Sequence, residues 1–127
     1  RCVIINEAAL QMGVNVLDNN MCAMLQCWLG VEDAVNGEQS RLADVASNIN
    51  GVYPPAFFIA SNTGNFFKAD LDAMSAVLDK FGLPYESYYV ERSIEPLDHG
   101  FINQLERNKY AADCYKRVLS FLKKYTA

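Results

Sequence analysis

Two strand patterns flanking one helix pattern constrain the fold of this chain more than any other feature of its sequence. Ala56–Ala60 is an apolar run of strand length, typical of a strand buried on both faces. Over Asp70–Phe81, apolar residues recur every three or four positions and form one stripe of a helix, which Gly82 and Pro84 end. Tyr85–Val90 is a second, aromatic-rich strand pattern. The spacing of the two strands predicts a parallel βαβ unit.

Patterns on either side of this unit extend it into an α/β domain. Cys2–Ile5 has the composition of a short buried strand, and Asp18–Leu29 carries apolar residues at helical spacing after a capping-type start. A short helix is predicted near Gly37–Val45 and a loop over Ser47–Pro55. A long amphipathic helix is predicted over Tyr110–Tyr125. The predicted fold class is therefore α/β, a parallel sheet with flanking helices.

The composition fits one globular domain over residues 1–127. The hydrophobic fraction of 51% is enough to form a single core, and the charged fraction of 20% is ordinary for a globular domain. The net charge of −4 and the scattered basic residues argue against a nucleic-acid partner, which needs a concentrated basic face. No apolar run has the length of a membrane span, and no glycine-rich phosphate loop indicates a nucleotide. We therefore expect no cofactor.

The four cysteines indicate neither a metal site nor a redox site. Cys2, Cys22, Cys27 and Cys114 form no CxxC pair, and the only histidine, His99, is far from all of them in the sequence. Dispersed thiols in a chain with a good core are typical of buried apolar residues in a reducing compartment. The sequence therefore predicts a cytoplasmic protein without a bound metal.

Two predicted loops follow the carboxyl ends of neighbouring strands, where α/β folds place their chemistry. They span Ser61–Ala69 and Glu91–Asn103, and the second contains His99. A lone histidine in a loop is more often an exposed or hydrogen-bonded bystander than a catalyst. The residues around His99 decide between these interpretations.

Several short motifs follow one another along the chain. They are, in order, Cys27-Trp28-Leu29-Gly30, Ala46-Ser47-Asn48-Ile49, Pro54-Pro55 before the strand, Phe81-Gly82-Leu83-Pro84 after the helix, and His99-Gly100-Phe101. Their order resembles the esterase and lipase branch of the α/β-hydrolases, in particular its acetyl-esterase-like members. The resemblance covers Cys27–Lys124 and implies that His99 is a general base acting on a small ester substrate.

The nucleophile of that family is missing from these 127 residues. The family places a serine in a GxSxG elbow between a strand and a helix, and the motif does not occur here. None of the seven serines has the flanking glycines; they are Ser40, Ser47, Ser61, Ser75, Ser87, Ser93 and Ser120. Because the chain begins at Arg1 and enters an apolar strand at once, we expect an incomplete α/β-hydrolase that lacks the half carrying the elbow.

The acid of the resemblance is also altered. The position that matches the family's Asp or Glu is Asn65, which offers no charge to a histidine. Asp70 is the nearest carboxylate, although it precedes the predicted helix and an N-cap role is favoured over a catalytic one. Asp98 is predicted to be a turn former whose side chain points away from His99.

Aromatic residues accompany both loops and could line an acyl or aryl pocket. Core packing is the favoured interpretation for most of them, with Phe66 and Phe67 as the exceptions. The five residues are Phe66, Phe67, Tyr88, Tyr89 and Phe101.

Two functions from different classes therefore remain open. The first is a serine ester hydrolase in which this chain supplies His99 as base and Asp70 or Asn65 as orienting group, but not the nucleophile. The second is a non-catalytic α/β-hydrolase-like domain used for binding or assembly. A flavodoxin-like domain is a weaker third interpretation, because the phosphate loop is missing. An incomplete parallel sheet exposes an edge strand, so self-association as a dimer is expected in either case.

Overall fold

The three strands and the flanking helices of the chain are resolved in a computed structural model that describes residues 1–8, 23, 26–28, 30, 32, 37–63 and 66–126. The elements, in chain order, are β1 (Val3–Asn6), α1 (Glu38–Ala43), α2 (Val45–Asn48), β2 (Ala56–Ile59), α3 (Phe66–Lys80), β3 (Tyr85–Tyr88), a 3₁₀ turn (Phe101–Asn103) and α4 (Lys109–Thr126).

The strands form one parallel sheet in the order β1-β2-β3. In the centre of the sheet, Phe58 of β2 is paired with Ile5 of β1 and with Ser87 of β3. The predicted α/β class and the parallel β2-α3-β3 unit are therefore confirmed. Within the described residues, no further strand pairs with the outer edge of β1 or of β3.

The side chains of β2 divide the core into two parts, because successive residues of a strand point to opposite faces. Phe57 and Ile59 pack with residues of α4, whereas Phe58 packs with residues of α3. All four residues of β2 are buried, as predicted for the apolar run. A central strand covered by helices on both faces explains why this segment is a continuous apolar run rather than an alternating one.

Helix α3 begins earlier than the sequence pattern predicts. It starts at Phe66, so Asp70 is the fifth helical residue and lies 1% exposed against the core. The predicted N-cap role of Asp70 is therefore wrong, since an N-cap precedes the first turn. The C-terminal end agrees with the prediction: Gly82 has a left-handed φ of 63°, and the N–H of Leu83 donates to the carbonyl of Leu78 in a Schellman motif.

The other predicted helices agree with the structure where it describes them. The short helix predicted near Gly37–Val45 is split at Asp44, whose extended backbone ends α1 and whose carboxylate accepts from the N–H of Ser47 to cap α2. In the predicted helix Asp18–Leu29, residues 23 and 26–28 are helical, and its other positions lie outside the described residues. Helix α4 is capped by the side chain of Asn108, which accepts from the N–H of Tyr110 at 2.9 Å.

Cys114 is a buried thiol of the core, and its raised pKa makes the folded state less stable at alkaline pH. Burial raises the pKa of Cys114 from 9.0 to about 12, and the carboxylate of Asp113 adds to this increase. Burial and Asp113 likewise raise the pKa of Tyr88 from 10.0 to about 12. The folded state therefore keeps protons that the unfolded chain has lost, so this contribution to stability is present below pH 9.0 and declines as pH rises towards about 12.

We expect the urea midpoint of unfolding to fall as the pH is raised from 9.0 to about 12, and Cys114→Ala to show a smaller fall over the same range. Thiol labelling provides the matched comparison. The exposed Cys27 should react with a disulfide reagent in the native chain, whereas Cys114 should react only after unfolding. Labelling of both thiols at the same native rate would contradict the buried state of Cys114.

Candidate active site

Three loops meet at the carboxyl edge of the parallel sheet. Glu7 directly follows β1, Ser61–Thr63 follow β2, and the segment after β3 leads to His99. The loops are joined by backbone hydrogen bonding, since the N–H of Asn62 donates to the carbonyl oxygen of Leu97 at 3.1 Å. This is the edge at which open α/β sheets bind their ligands.

His99 is paired with the carboxylate of Glu7. Its Nδ1 lies 3.0 Å from Oε2 of Glu7; the imidazole side chain is 72% exposed, whereas the glutamate side chain is 1% exposed. The same Oε2 accepts a hydrogen bond from the backbone N–H of Gly100 at 2.7 Å. A carboxylate accepts but does not donate, so this contact fixes the proton of the neutral imidazole on Nδ1 and leaves the lone pair on Nε2.

The backbone at Glu7 is strained. Its φ of 51° makes it the one non-glycine residue with positive φ in the described part of the chain. A long side chain rarely adopts this left-handed conformation, which costs about 1–3 kcal/mol and persists where the surrounding structure enforces it. Strain of this kind is concentrated at functional sites. Here the strained backbone conformation of Glu7 places its carboxylate against His99 and Gly100.

The ring of His99 is also stacked on an aromatic side chain. The imidazole and the phenyl ring of Phe67 are nearly parallel, at 10°, with their centroids 5.2 Å apart. Phe67 lies in the first turn of α3, next to the loop after β2. The stack restricts rotation of the imidazole and provides a cation–π contact when His99 is protonated. Carboxylate and phenyl ring together hold an exposed histidine in one orientation.

The motif His99-Gly100-Phe101 has a local physical explanation. Gly100 has a φ of 77°, which favours glycine, and this turn directs its N–H towards Glu7. Phe101 is buried in the core formed with α4 and stacks with Tyr88 at 6.2 Å. The two residues that follow His99 therefore turn the chain and then anchor it in the core.

Asn62 connects the loop after β2 to the loop that carries His99. Its side-chain amide donates to the carbonyl oxygens of Val90 and Glu95 at 2.8 and 2.7 Å, and its Oδ1 accepts from the N–H of Leu97 at 2.7 Å. All three contacts are made by one side chain that is 5% exposed. This clamp sets the path of the chain to within two residues of His99.

Thr63 and Asp98 add a second link between the loop after β2 and the loop that carries His99. The hydroxyl of Thr63 lies 2.6 Å from the carbonyl oxygen of Leu97 and 2.9 Å from Oδ1 of Asp98. The carbonyl of Asp98 accepts from the N–H of Phe101 at 3.0 Å, which closes a turn around His99. The predicted turn role of Asp98 is confirmed, and its carboxylate is engaged by Thr63.

The structure brings together a different set of residues from the one that the sequence predicts. The carboxylate next to His99 is Glu7, whereas Asp70 is buried beside a small cavity and Asn65 lies outside the described residues. Of the aromatic residues, Phe67 contacts the histidine, and Tyr88 and Phe101 are core residues. Tyr89 is half-buried, with the ammonium of Lys68 5.3 Å from its ring centroid, and the side chain of Phe66 is not among those described.

Glu7 was missed because its role depends on a contact across 92 positions of sequence. The one local signal is its place directly after an apolar strand, which in a parallel sheet puts it at the carboxyl edge. Asn62 has the same signal, since it follows the buried run of β2. Polar residues directly after buried parallel strands are therefore the local signal of a site at the carboxyl edge of the sheet.

Within the described residues, no hydroxyl or thiol is hydrogen-bonded to His99, and no group of three or more His, Cys, Asp or Glu side chains is placed to hold a metal ion. None of the helices in that part of the chain has the length and apolar character needed to cross a membrane.

No protein-family model, curated protein or solved structure matches the chain. The chemistry of the site is therefore inferred from its own geometry.

Proposed function

We propose that this chain supplies the histidine and the acid of a serine ester hydrolase, with His99 as general base and Glu7 as the carboxylate that orients it. The observation that carries this proposal is the 3.0 Å contact between Nδ1 of an exposed imidazole and a buried carboxylate. A buried acid on Nδ1 keeps Nε2 available to take a proton from a nucleophile and stabilises the imidazolium that forms. Glu7 thereby replaces Asp70 and Asn65 in the role expected from the sequence.

The proposed fold is the C-terminal part of an α/β-hydrolase, with the nucleophile on a further parallel strand beside β1. Neighbouring strands lie about 4.8 Å apart, so a residue at the carboxyl end of such a strand would follow next to Glu7 and within reach of His99. The outer edge of β1 is unpaired within the described residues, which is compatible with this placement. The apolar surface of Phe67 beside the base suits an acyl or aryl group of a small ester.

The function is tested by ester hydrolysis with the full-length protein, expressed from its complete open reading frame. We expect turnover of p-nitrophenyl acetate that is lost in His99→Ala and kept in Arg92→Ala, a control in the same loop whose side chain is exposed. Turnover that is unchanged in His99→Ala would refute the proposal. Circular dichroism of both variants shows whether the fold is retained.

The second function is a non-catalytic domain that uses the same scaffold for binding or assembly. It is favoured by one observation: among the described residues, no hydroxyl or thiol is hydrogen-bonded to His99. The same assay discriminates between the two, because a non-catalytic domain gives no turnover that depends on His99 in the full-length protein.

The described cysteines, Cys2, Cys27 and Cys114, are free thiols, and we propose the cytoplasm as their compartment.

Self-association is expected through the outer edge of β1. Ile4 of this outer strand is 38% exposed, and no strand of the described part of the chain pairs with the outer edge of β1. An apolar edge strand of this kind favours pairing with a second copy. We expect sedimentation velocity of the 127-residue chain to show a monomer–dimer equilibrium that Ile4→Lys shifts towards the monomer. Leu42→Lys, a charge on an exposed residue of α1 away from the edge, should leave the equilibrium unchanged. A monomer at all concentrations would contradict this expectation.

A further inference from the structure

The imidazole of His99 has one nitrogen that is held and one that is not. Its Nδ1 contacts the carboxylate of Glu7, whereas Nε2 has no hydrogen-bond or ion-pair partner within the described part of the chain. The side chain of His99 is 72% exposed. Phe67 is stacked on one face of the ring, but the lone pair of Nε2 lies in the plane of the ring, so the stack does not cover it. Nε2 is therefore open to a molecule from solvent.

A neutral imidazole with an open nitrogen is itself a nucleophile. Histidine forms covalent intermediates in enzymes, and it acts as a base instead where a reacting hydroxyl is hydrogen-bonded to it. No hydroxyl or thiol of the described residues is in that position. The buried carboxylate of Glu7 keeps the proton on Nδ1 and favours the positive charge that the ring gains when Nε2 forms a bond.

We propose that His99 of this chain is a covalent nucleophile towards activated esters. The lone pair of Nε2 attacks the carbonyl carbon, the bond from that carbon to the leaving oxygen breaks, and the leaving group departs with the electron pair as an oxyanion. The product on the protein is an Nε2-acyl imidazolium, which keeps its proton on Nδ1 against Glu7. Water then adds to the acyl carbon, and the carbon–nitrogen bond breaks with its electrons returning to Nε2. The carboxylate and two protons are released to solvent.

The chemistry of the leaving group restricts the substrate to aryl esters. The tetrahedral adduct expels the weaker base, so an alkyl ester returns to the starting material by expelling imidazole, whereas an acidic phenol leaves as its anion. The ring of Phe67 beside the imidazole suits the aryl group. An acyl phosphate is disfavoured because it is an anion and two carboxylates lie close to the reacting atom, those of Glu7 and Asp98.

The reaction is tested with the unmodified 127-residue chain and p-nitrophenyl acetate. We expect p-nitrophenolate to be released about tenfold faster than with an equal concentration of N-acetylhistidine methylamide, an imidazole without an orienting carboxylate. Mass spectrometry after acid quenching should find one acetyl group on His99, and hydroxylamine should convert it to acetohydroxamate. A rate equal to that of the free imidazole, or acetylation of lysines without His99, would overturn the proposal.

The solvent isotope effect distinguishes a nucleophile from a base. Attack by Nε2 moves no proton, so the release should be as fast in heavy water as in ordinary water. A slower release in heavy water without acetyl-histidine would make His99 a base towards water in this chain and would overturn the proposal.

Three variants assign the parts of the reaction. His99→Gln keeps an N–H that can donate to Glu7 but removes the nucleophilic nitrogen, and it should abolish the acetylation. Glu7→Gln keeps the imidazole and should slow its acetylation about tenfold, to the rate of the free imidazole. Arg92→Ala, at an exposed position of the same loop, is the control and should react as the unmodified chain does. An unchanged rate in Glu7→Gln would overturn the role of the carboxylate; if that variant does not fold, the comparison of the unmodified chain with the free imidazole decides.

This activity rests on the pairing of His99 with Glu7, but not on the serine of the proposed hydrolase, and an alkyl ester separates the two. Ethyl acetate should be cleaved by the full-length protein in a reaction that a fluorophosphonate blocks, whereas the 127-residue chain should leave it intact. Acetyl-histidine without cleavage of ethyl acetate would refute the hydrolase alone. Cleavage of ethyl acetate by the full-length protein, without acetyl-histidine in the 127-residue chain, would refute the nucleophile alone.

Discussion

Glu7→Gln is expected to lower kcat/KM for p-nitrophenyl acetate by about 10⁴-fold in the full-length protein, the effect of removing the orienting acid of a serine-protease triad. The substitution keeps the length and shape of the side chain but removes the charge that stabilises the imidazolium of His99. It also lets an amide N–H face Nδ1, which favours the wrong tautomer. Steady-state kinetics with matched circular dichroism measures the effect.

Glu91→Gln is the control for this prediction, because Glu91 is an exposed glutamate in the segment after β3. It should leave kcat/KM within about twofold of the unmodified protein, as for a surface change distant from the reacting groups. Asp70→Asn gives a second comparison, since Asp70 is the carboxylate nearest in sequence to Asn65, the position that matches the family's acid. A large loss of activity in Asp70→Asn with none in Glu7→Gln would show that the acid had been assigned to the wrong carboxylate.

Asn62→Ala is expected to have the largest effect on stability, a loss of about 3–5 kcal/mol in the free energy of unfolding. The variant removes three side-chain hydrogen bonds and leaves the carbonyls of Val90 and Glu95 and the N–H of Leu97 without their partner. Urea denaturation of the 127-residue chain measures the loss. Asn103→Ala, which truncates an exposed asparagine, should change stability by no more than about 0.5 kcal/mol.

Asn62→Asp distinguishes a hydrogen-bond clamp from simple packing. The aspartate has nearly the same volume, but it turns a donor that faces two carbonyl oxygens into a charged acceptor. We expect it to destabilise the chain at least as much as Asn62→Ala at neutral pH. An aspartate variant as stable as the unmodified chain would show that the amide donor does not hold the loop.

The sheet and its crossover were predictable because their signals are local. The continuous apolar run of β2 requires a strand covered on both faces, and the apolar stripe of α3 ending at Gly82 requires a helix that packs on the sheet. Helix α4 was predictable from its amphipathic pattern, although that pattern places the start one residue later than observed. Local periodicity therefore predicts the central strand, the crossover helix and the last helix of the described part of the chain.

The candidate site was only half predictable. His99 was singled out from its loop, from the triplet His99-Gly100-Phe101 and from the order of the motifs before it, all of which are features of the sequence itself. Glu7 and Asn62 were not, because each acts through contacts that only the folded sheet creates. Asp70 was misinterpreted as a cap because α3 begins at Phe66, before the apolar stripe that marks the helix. Sequence patterns report burial and periodicity, whereas the partner of a buried carboxylate is a property of the tertiary fold.

The protonation of His99 is the most direct test of the proposed base. His99 is the only histidine of the chain, so its imidazole nitrogens give unambiguous signals in ¹⁵N–¹H correlation spectra. With the imidazole neutral, the pairing with Glu7 predicts a hydrogen-bonded proton on Nδ1 and a free lone pair on Nε2, a pattern that Glu7→Gln should abolish. A proton on Nε2 in the unmodified chain, or an Nδ1 signal indifferent to Glu7→Gln, would contradict a histidine base oriented by Glu7.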